Sequence, residues 1–443
     1  MLQPLEQTFT AAMERNFKGS ACPETVAVAV SGGSDSMALV LLLDQWARKN
    51  NVSLVGITVD HALRAEAKEE AQLVGQWLAR YQIEHCILTR QGEVPQSGIQ
   101  AFARDARYRL ISEFCKNREI DHLFTGHQLE DQLETFVQRF AMGSALSGLR
   151  AMSEVTTRDG LQILRPLLGV RRKSLRDFLT QNGQDWIEDP SNEDPKYTRT
   201  ALGRVVRDIA ALPESSLEKL SLSINRLQSA DAALNSYAQK AWDTWISVSE
   251  FGFATVDAQL VESEAKEIAL RCLQRAISVV NGQDGYSRLK EIERLYDRIV
   301  SGEDQFSSTL SGCLLQVTKG QLRISREPGR AGLEILPYNG GKLIWDNRFC
   351  VSCAPEIVSN SDRLDSFRIR VIGEDGWQQI ADLELLEEAK KLPAQIRKNL
   401  PSLWQGEKLV AAPLILAENA GLGIANDALE MVFIPTVGAK RSS

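Results

Sequence analysis

The chain reads as an α/β protein whose first domain is a parallel sheet with helices on both faces, followed by a mainly helical domain and a small α+β domain. Three observations carry this: strand and helix signals alternate as far as Leu212-Pro213, a long polar helical pattern then replaces them, and strand-like segments return towards the end. In order, Thr25 to Val30 is an apolar strand and Met37 to Trp46 an apolar helix. Val52 to Val59 is the second strand, with a helix from Ala65 to Tyr81. Ile83 to Thr89 and Ile99 to Arg118 repeat the pair. Ile120 to Thr125 and Leu129 to Ala141 repeat it again. In such a sheet the loops leaving the carboxyl ends of the strands gather at one edge, where ligands bind.

The domain boundaries follow from the same patterns. Residues 1–212 form the sheet domain and 213–330 the mainly helical one. Residues 331–364 form a β-rich connection, and 365–443 the C-terminal domain. Within the second, Glu214 to Ile246 is helical, and Leu217, Leu220, Leu222, Ile224, Leu227 and Ala230 give it a broad apolar face. Glu262 to Val280 and Arg288 to Val300 are further helices, and Cys313 to Ile324 is a hairpin turning at Lys319-Gly320.

Composition narrows the function. A chain of 443 residues with 43% hydrophobic and 25% charged residues is globular. It has no apolar run long enough for a membrane span and no apolar core in the first residues, so a cytoplasmic protein without membrane contact is expected. Seven cysteines, an odd number, argue against a disulfide framework and for core thiols. The net charge of -7 argues against a protein that coats nucleic acid in general. Basic residues are nevertheless concentrated. Arg139, Arg150, Arg158, Arg165, Arg171, Arg172, Lys173 and Arg176 fall in one stretch, and Lys196, Arg199, Arg204 and Arg207 in another, consistent with a polyanionic second substrate.

The loop between the first strand and its helix, Ser31-Gly32-Gly33-Ser34-Asp35-Ser36, is built for phosphate. Glycines free the backbone to turn successive N–H groups inward, and the helix N-terminus adds its positive end. A Walker loop carries a Lys before its last hydroxyl residue, and this one has none. After the second strand comes Asp60-His61, and after the fourth Gly126-His127-Gln128-Leu129-Glu130-Asp131, then Glu134-Thr135. Asp131 and Glu134 share a helix face, and such carboxylates at a strand's carboxyl edge suit Mg2+ bridging phosphates. Glu130 alone is better read as an acid favoured by the helix dipole. His61 and His127 either contact phosphate or orient a neighbour, and no Cys/His spacing suggests zinc.

The six-residue loop resembles the pyrophosphate loop of the PP-loop ATP pyrophosphatases. With Val59-Asp60-His61-Ala62-Leu63-Arg64, Ala103-Arg104-Asp105-Ala106-Arg107-Tyr108, the stretch from His127 to Thr135, Arg165-Pro166-Leu167-Leu168 and Trp186-Ile187-Glu188-Asp189-Pro190-Ser191-Asn192, in that order, the chain is similar to the bacterial tRNA(Ile)-lysidine synthases. The resemblance implies adenylation, by ATP, of the carbonyl oxygen of the wobble cytidine in isoleucine tRNA with a CAU anticodon. The side-chain amine of free lysine then attacks, releasing AMP. It implies that Asp35 is essential, either on the metal or on the cytidine, and that Arg104 meets the α-phosphate. Arg107 serves the same crevice or a surface ion pair. Catalysis would then rest on Asp35, Arg104 and Asp131, and ATP binding on Ser31, Gly32, Gly33, Ser34, Asp35, Ser36, His61 and His127. Mg2+ would sit on Asp131 and Glu134, and tRNA on Arg165, Arg199, Arg204, Lys391, Arg397 and Lys398. A homodimer is compatible with the sequence.

The chain departs from the family pattern at Glu130, usually Asp, and at Gln100, usually Glu. It departs again at Thr200, usually Asn, and at Leu202-Gly203, usually Leu-Arg. These put the metal geometry and a tRNA-facing loop in question. Cys350-Val351-Ser352-Cys353 keeps a PP-loop tRNA thiolase as the rival reading, although an isolated pair in an alternating strand is more often packing. The sequence also admits a PP-loop ligase for a small molecule and an inactive tRNA-binding protein.

Overall fold

A computed structural model describes all residues except 1–3, 20, 61–65, 91–98, 159, 189–204, 206–207, 210–211, 284–288, 304, 330–331, 354–366, 418–427 and 436–443. Backbone contacts divide it into two compact units, Met1–Asp231 and Ala232–Ser443. No helix among the described residues is long and apolar enough to cross a membrane.

The first unit is built on a six-stranded sheet in the order β3-β2-β1-β4-β6-β5, comprising β1 (Thr25–Ala29), β2 (Ser53–Asp60), β3 (Glu84–Thr89), β4 (His122–Phe124), β5 (Val155–Arg158) and β6 (Leu161–Leu164). All neighbours are parallel except the β5/β6 hairpin. Among the described residues it is accompanied by helices α1 (Pro4–Phe17), α2 (Ser34–Asn50), α3 (Glu66–Arg80), α4 (Ile99–Asn117), α5 (Leu129–Ala141), α6 (Leu146–Leu149) and α7 (Arg172–Gln181).

Residue alternation along the central strand decides the layering. Val26 and Val28 point to one face, where α1, α2, α3 and α7 pack with Met13, Leu39, Leu42, Leu78 and Phe178. Ala27 points to the other, with Val55 and Ile57 of β2, and there Tyr108, Ile111 and Cys115 of α4 cover it. Small Ala27 opposite bulky α4 side chains lets that helix sit close. Because β1 is flanked by β2 on one side and β4 on the other, the order in which strands are added across the sheet reverses at β1, although all three run parallel. The carboxyl ends of β1 and β4 therefore open a crevice, the switch point at which such sheets bind ligands.

A long helix, Glu214–Trp245, starts directly after Leu212-Pro213. Its Leu217 and Ile224 are buried with Leu129, Leu133 and Ala151, whereas Leu222 is exposed.

In the second unit a five-stranded antiparallel sheet, β7-β8-β11-β10-β9, packs against helices Lys266–Asn281 and Leu289–Val300. Its strands are β7 (Ile246–Val248), β8 (Ala254–Asp257), β9 (Gln305–Leu310), β10 (Cys313–Thr318) and β11 (Gln321–Arg326). The β10/β11 hairpin turns at Lys319 and Gly320, both with positive φ (53° and 74°), which matches the twist of a two-residue hairpin. A further core around Trp345, Phe349, Ile369 and Trp404 joins two smaller sheets. One contains β12 (Leu336–Pro337), β15 (Phe367–Val371), β16 (Pro401–Gln405) and β17 (Lys408–Ala411). The other contains β13 (Gly341–Trp345), β14 (Phe349–Cys353) and β18 (Leu429–Phe433).

Candidate active site

The loop after β1 is a tight, internally bonded turn. Ser36 Oγ donates to the Gly33 carbonyl (3.0 Å) and accepts from the Ser31 N–H (3.2 Å), while the Met37 N–H closes the first helical turn on Gly33 (3.0 Å). Gly32 has φ +85°, and a Cβ there would lie 2.6 Å from Ile187 Cδ1. The Ile187 N–H donates to the Gly32 carbonyl at 2.9 Å, so the loop is held from outside as well. The sequence suggests that both glycines share the unusual backbone geometry, but only Gly32 uses it. Gly33 caps α2 in an extended conformation (φ -72°), open to any residue.

The end of β4 meets this loop backbone to backbone. A Cβ on Gly126 would stand 2.9 Å from the Asp35 carbonyl oxygen and 3.0 Å from the Ser36 nitrogen. Beyond it, His127 Nδ1 is hydrogen-bonded to Thr125 Oγ1 (2.9 Å). Burial, together with the fields of Arg165, Arg104 and Arg107, lowers the His127 pKa to about 4, so the ring is neutral near pH 7. Unfolded histidine titrates near 6.5. The unfolded chain therefore binds a proton that the folded one refuses, and stability falls as pH drops through the window from 6.5 to about 4. Replacing His127 with Gln is expected to flatten that part of the acid limb, which urea midpoints measured at several pH values will show.

At the start of α5 a reciprocal cap orders the acidic residues. The Gln128 side chain accepts from the Glu130 N–H, and the Asp131 carboxylate accepts from the Gln128 N–H at 3.1 Å. Asp131 then reaches Arg172 Nη2 at 3.5 Å, while Arg172 Nε donates to Asp35 Oδ2 at 3.1 Å. One guanidinium thus joins carboxylates from the loop after β1 and the helix after β4. Burial raises the Asp131 pKa to about 6, and the Gln128 N–H and Arg172 only partly oppose it. For Arg172, burial opposes the charge, but Asp35 and Asp131 outweigh it and its pKa is raised.

The neighbouring residues divide between site and scaffold. Glu130 turns away, accepting from the Arg172 backbone N–H at 3.0 Å and pairing with Arg171, so it fixes the start of α7. Glu134 is exposed and accepts from Gln138 (3.0 Å). Asp35 and Asp131, rather than the expected Asp131 and Glu134, are therefore the carboxylates that converge on one cation. Arg104 and Arg107 line the same crevice, whose volume is about 500 Å³, together with Ser31, Asp35, Thr58, His127 and Arg172. That is room for a nucleotide-sized ligand.

The basic stretch from Arg139 to Arg176 is largely spent inside the unit. Arg165 is 6% exposed and donates to the Ser153 carbonyl and Thr156 Oγ1, so it braces the β5 end rather than meeting RNA. Arg139 donates to Gly148 and Ala151 carbonyls, Arg158 pairs with Asp105, and Arg176 with Glu188. In the second unit Lys391 is exposed, Lys398 pairs with Glu374, and Arg397 lies over the Trp377 ring. His61, Arg199, Arg204 and Thr200 lie outside the described residues, as does the side chain of Gln100. All seven cysteines are free. Cys115, Cys272 and Cys313 are buried with thiol pKa values pushed up to about 12, and Cys22 is exposed, so fewer are core thiols than expected.

Sequence reasoning missed Arg172, Thr58 and the Ile187 support. Arg172 was visible only as one member of a basic run.

This loop, at the switch point of this sheet, defines a nucleotide-binding protein of the PP-loop class, and the family model of the PP-loop domain matches residues 3–209. The tRNA(Ile)-lysidine synthase of Wolbachia pipientis wMel is 32% identical over 88% of this chain and 88% of its own length. That of the Wolbachia of Brugia malayi is 32% identical over 76% of this chain and 78% of its length, and that of Bradyrhizobium sp. BTAi1 34% identical over 72% and 95%. The chain belongs to the tRNA(Ile)-lysidine synthase family.

Proposed function

We propose that this enzyme joins free lysine to the wobble cytidine of isoleucine tRNA carrying a CAU anticodon, using ATP and releasing AMP and pyrophosphate. The observation that carries the reading is the Lys-free phosphate loop placed against the Asp35, Arg172 and Asp131 cluster at the switch point. In this reading the N–H groups of the Ser31 to Ser36 turn and the α2 N-terminus hold the β- and γ-phosphates. Arg104 and Arg107 balance charge at the α-phosphate as the cytosine carbonyl oxygen attacks it and pyrophosphate leaves. The lysine amine then attacks the activated ring carbon and AMP departs with the oxygen. Neutral His127 orients its neighbours without adding charge.

The donor chemistry also fits Mg2+. Asp35 and Asp131 offer oxygens alone, and among the described residues no three His, Cys, Asp or Glu side chains gather into a metal cage. That suits an ion that takes one or two carboxylates and completes its shell with phosphate and water. When bound it neutralises the leaving pyrophosphate. Lys391, Arg397 and Lys398 are the proposed contacts of the second unit with tRNA. The division of labour among residues 1–212, 213–330 and 365–443 is part of the same proposal.

The test is the nucleotide product. ATP labelled at the α-phosphate is expected to yield AMP, in amounts that depend on tRNA and lysine. ADP as product overturns the reading. The rival thiolase reading is checked separately. Cys350 and Cys353 lie three residues apart on β14, so their side chains leave opposite faces of the strand. The double substitution Cys350→Ser and Cys353→Ser is expected to leave the modification rate within about twofold of wild type, because no step uses a thiolate.

A further inference from the structure

Arg172 occupies the position where a cation would serve the two acidic side chains, and its surroundings let the side chain leave while the backbone stays. The guanidinium bonds Asp35 at 3.1 Å through Nε and Asp131 at 3.5 Å through Nη2. Its own N–H is fixed to Glu130 at 3.0 Å, and Asp131 is fixed to the Gln128 N–H at 3.1 Å. The Asp131 carboxylate and the Arg172 backbone are therefore held by bonds that do not involve the guanidinium. Only the flexible stem needs to turn, and the crevice that Arg172 lines is where phosphate would offer the fork a new bidentate partner.

We propose that Arg172 is the resident counter-cation of the Asp35 and Asp131 pair. It competes with a divalent metal for these carboxylates until phosphate draws the guanidinium away, so that metal and nucleotide bind as one coupled event. This rests on the metal-binding reading above. A carboxylate pair occupied by an internal cation for most of the time binds an external one with an affinity reduced by the free fraction.

The probe is Mn2+ alone, titrated without nucleotide at pH 8 and followed by electron paramagnetic resonance. Arg172→Met is expected to bind Mn2+ at least about tenfold tighter than wild type, the factor for a pair that is free about a tenth of the time. Arg172→Lys, a point charge that cannot fork, is expected to lie between. Adding Asp35→Asn to Arg172→Met should abolish the gain. Circular dichroism and melting of each variant establish that it is folded. Wild-type or weaker Mn2+ affinity in both Arg172 variants, while wild type still binds Mn2+ through Asp35, overturns the inference and leaves the metal reading standing. Mn2+ binding that Asp35→Asn does not alter in any background overturns both.

Discussion

Asp35→Ala is expected to reduce turnover by two to three orders of magnitude while the protein remains folded. The carboxylate sits at the first turn of α2, inside the phosphate loop, and its partners are Arg172 and the Ser34 hydroxyl. A partly solvated ion pair of this kind is worth about 0–1 kcal/mol to folding. Removing a preorganised charge at a developing transition state costs about 3 kcal/mol or more. The two quantities are measured separately, as kcat in saturating ATP and as the urea midpoint. Turnover near the wild-type rate in a folded variant contradicts the role given to Asp35.

Gly126→Ala is the second large effect, and it acts through shape. The added methyl would meet the Asp35 carbonyl oxygen and Ser36 nitrogen at 2.9 and 3.0 Å, and neither backbone atom can swing aside as a side-chain end could. Either β4 or the phosphate loop must shift. Overpacking of this type costs about 1–3 kcal/mol. A displacement of positioning groups by about 1 Å costs about a hundredfold in rate. Melting and kcat are expected to fall together, and ATP affinity with them, whereas Gly33→Ala should be mild because its backbone is ordinary and its Cβ would meet nothing nearer than 3.7 Å. A silent Gly126→Ala would mean that the strand end and loop are not in register.

Much of the sheet was legible because strand burial and helical period leave separate signatures. The strand from Thr25 and the helix Leu129 to Ala141 are plain in the sequence almost to the residue. The β5/β6 hairpin was missed because Val155–Arg158 is a short edge strand with a polar face. Helix α7 hid inside a run of basic residues, although its Leu175, Phe178 and Leu179 fall at helical spacing and are buried. In the second unit the strong β10/β11 hairpin was visible, but its partners β7 to β9 are short or weakly alternating. The phosphate loop and Asp131 were legible as local motifs. The link between them was not, since Arg172 lies 137 residues from Asp35 and 41 from Asp131 along the chain. Charge alone also misassigned Arg165, because a count of arginines does not say which of them point inward.

The most direct measurement of the central claim is the mass of the modified nucleoside. Isoleucine tRNA with a CAU anticodon, incubated with the enzyme, ATP and lysine, then digested and analysed by mass spectrometry, is expected to contain a cytidine that has gained lysine less water, only when all three substrates are present. An unchanged cytidine with an enzyme shown to be folded, or a product that carries sulfur, would contradict the account.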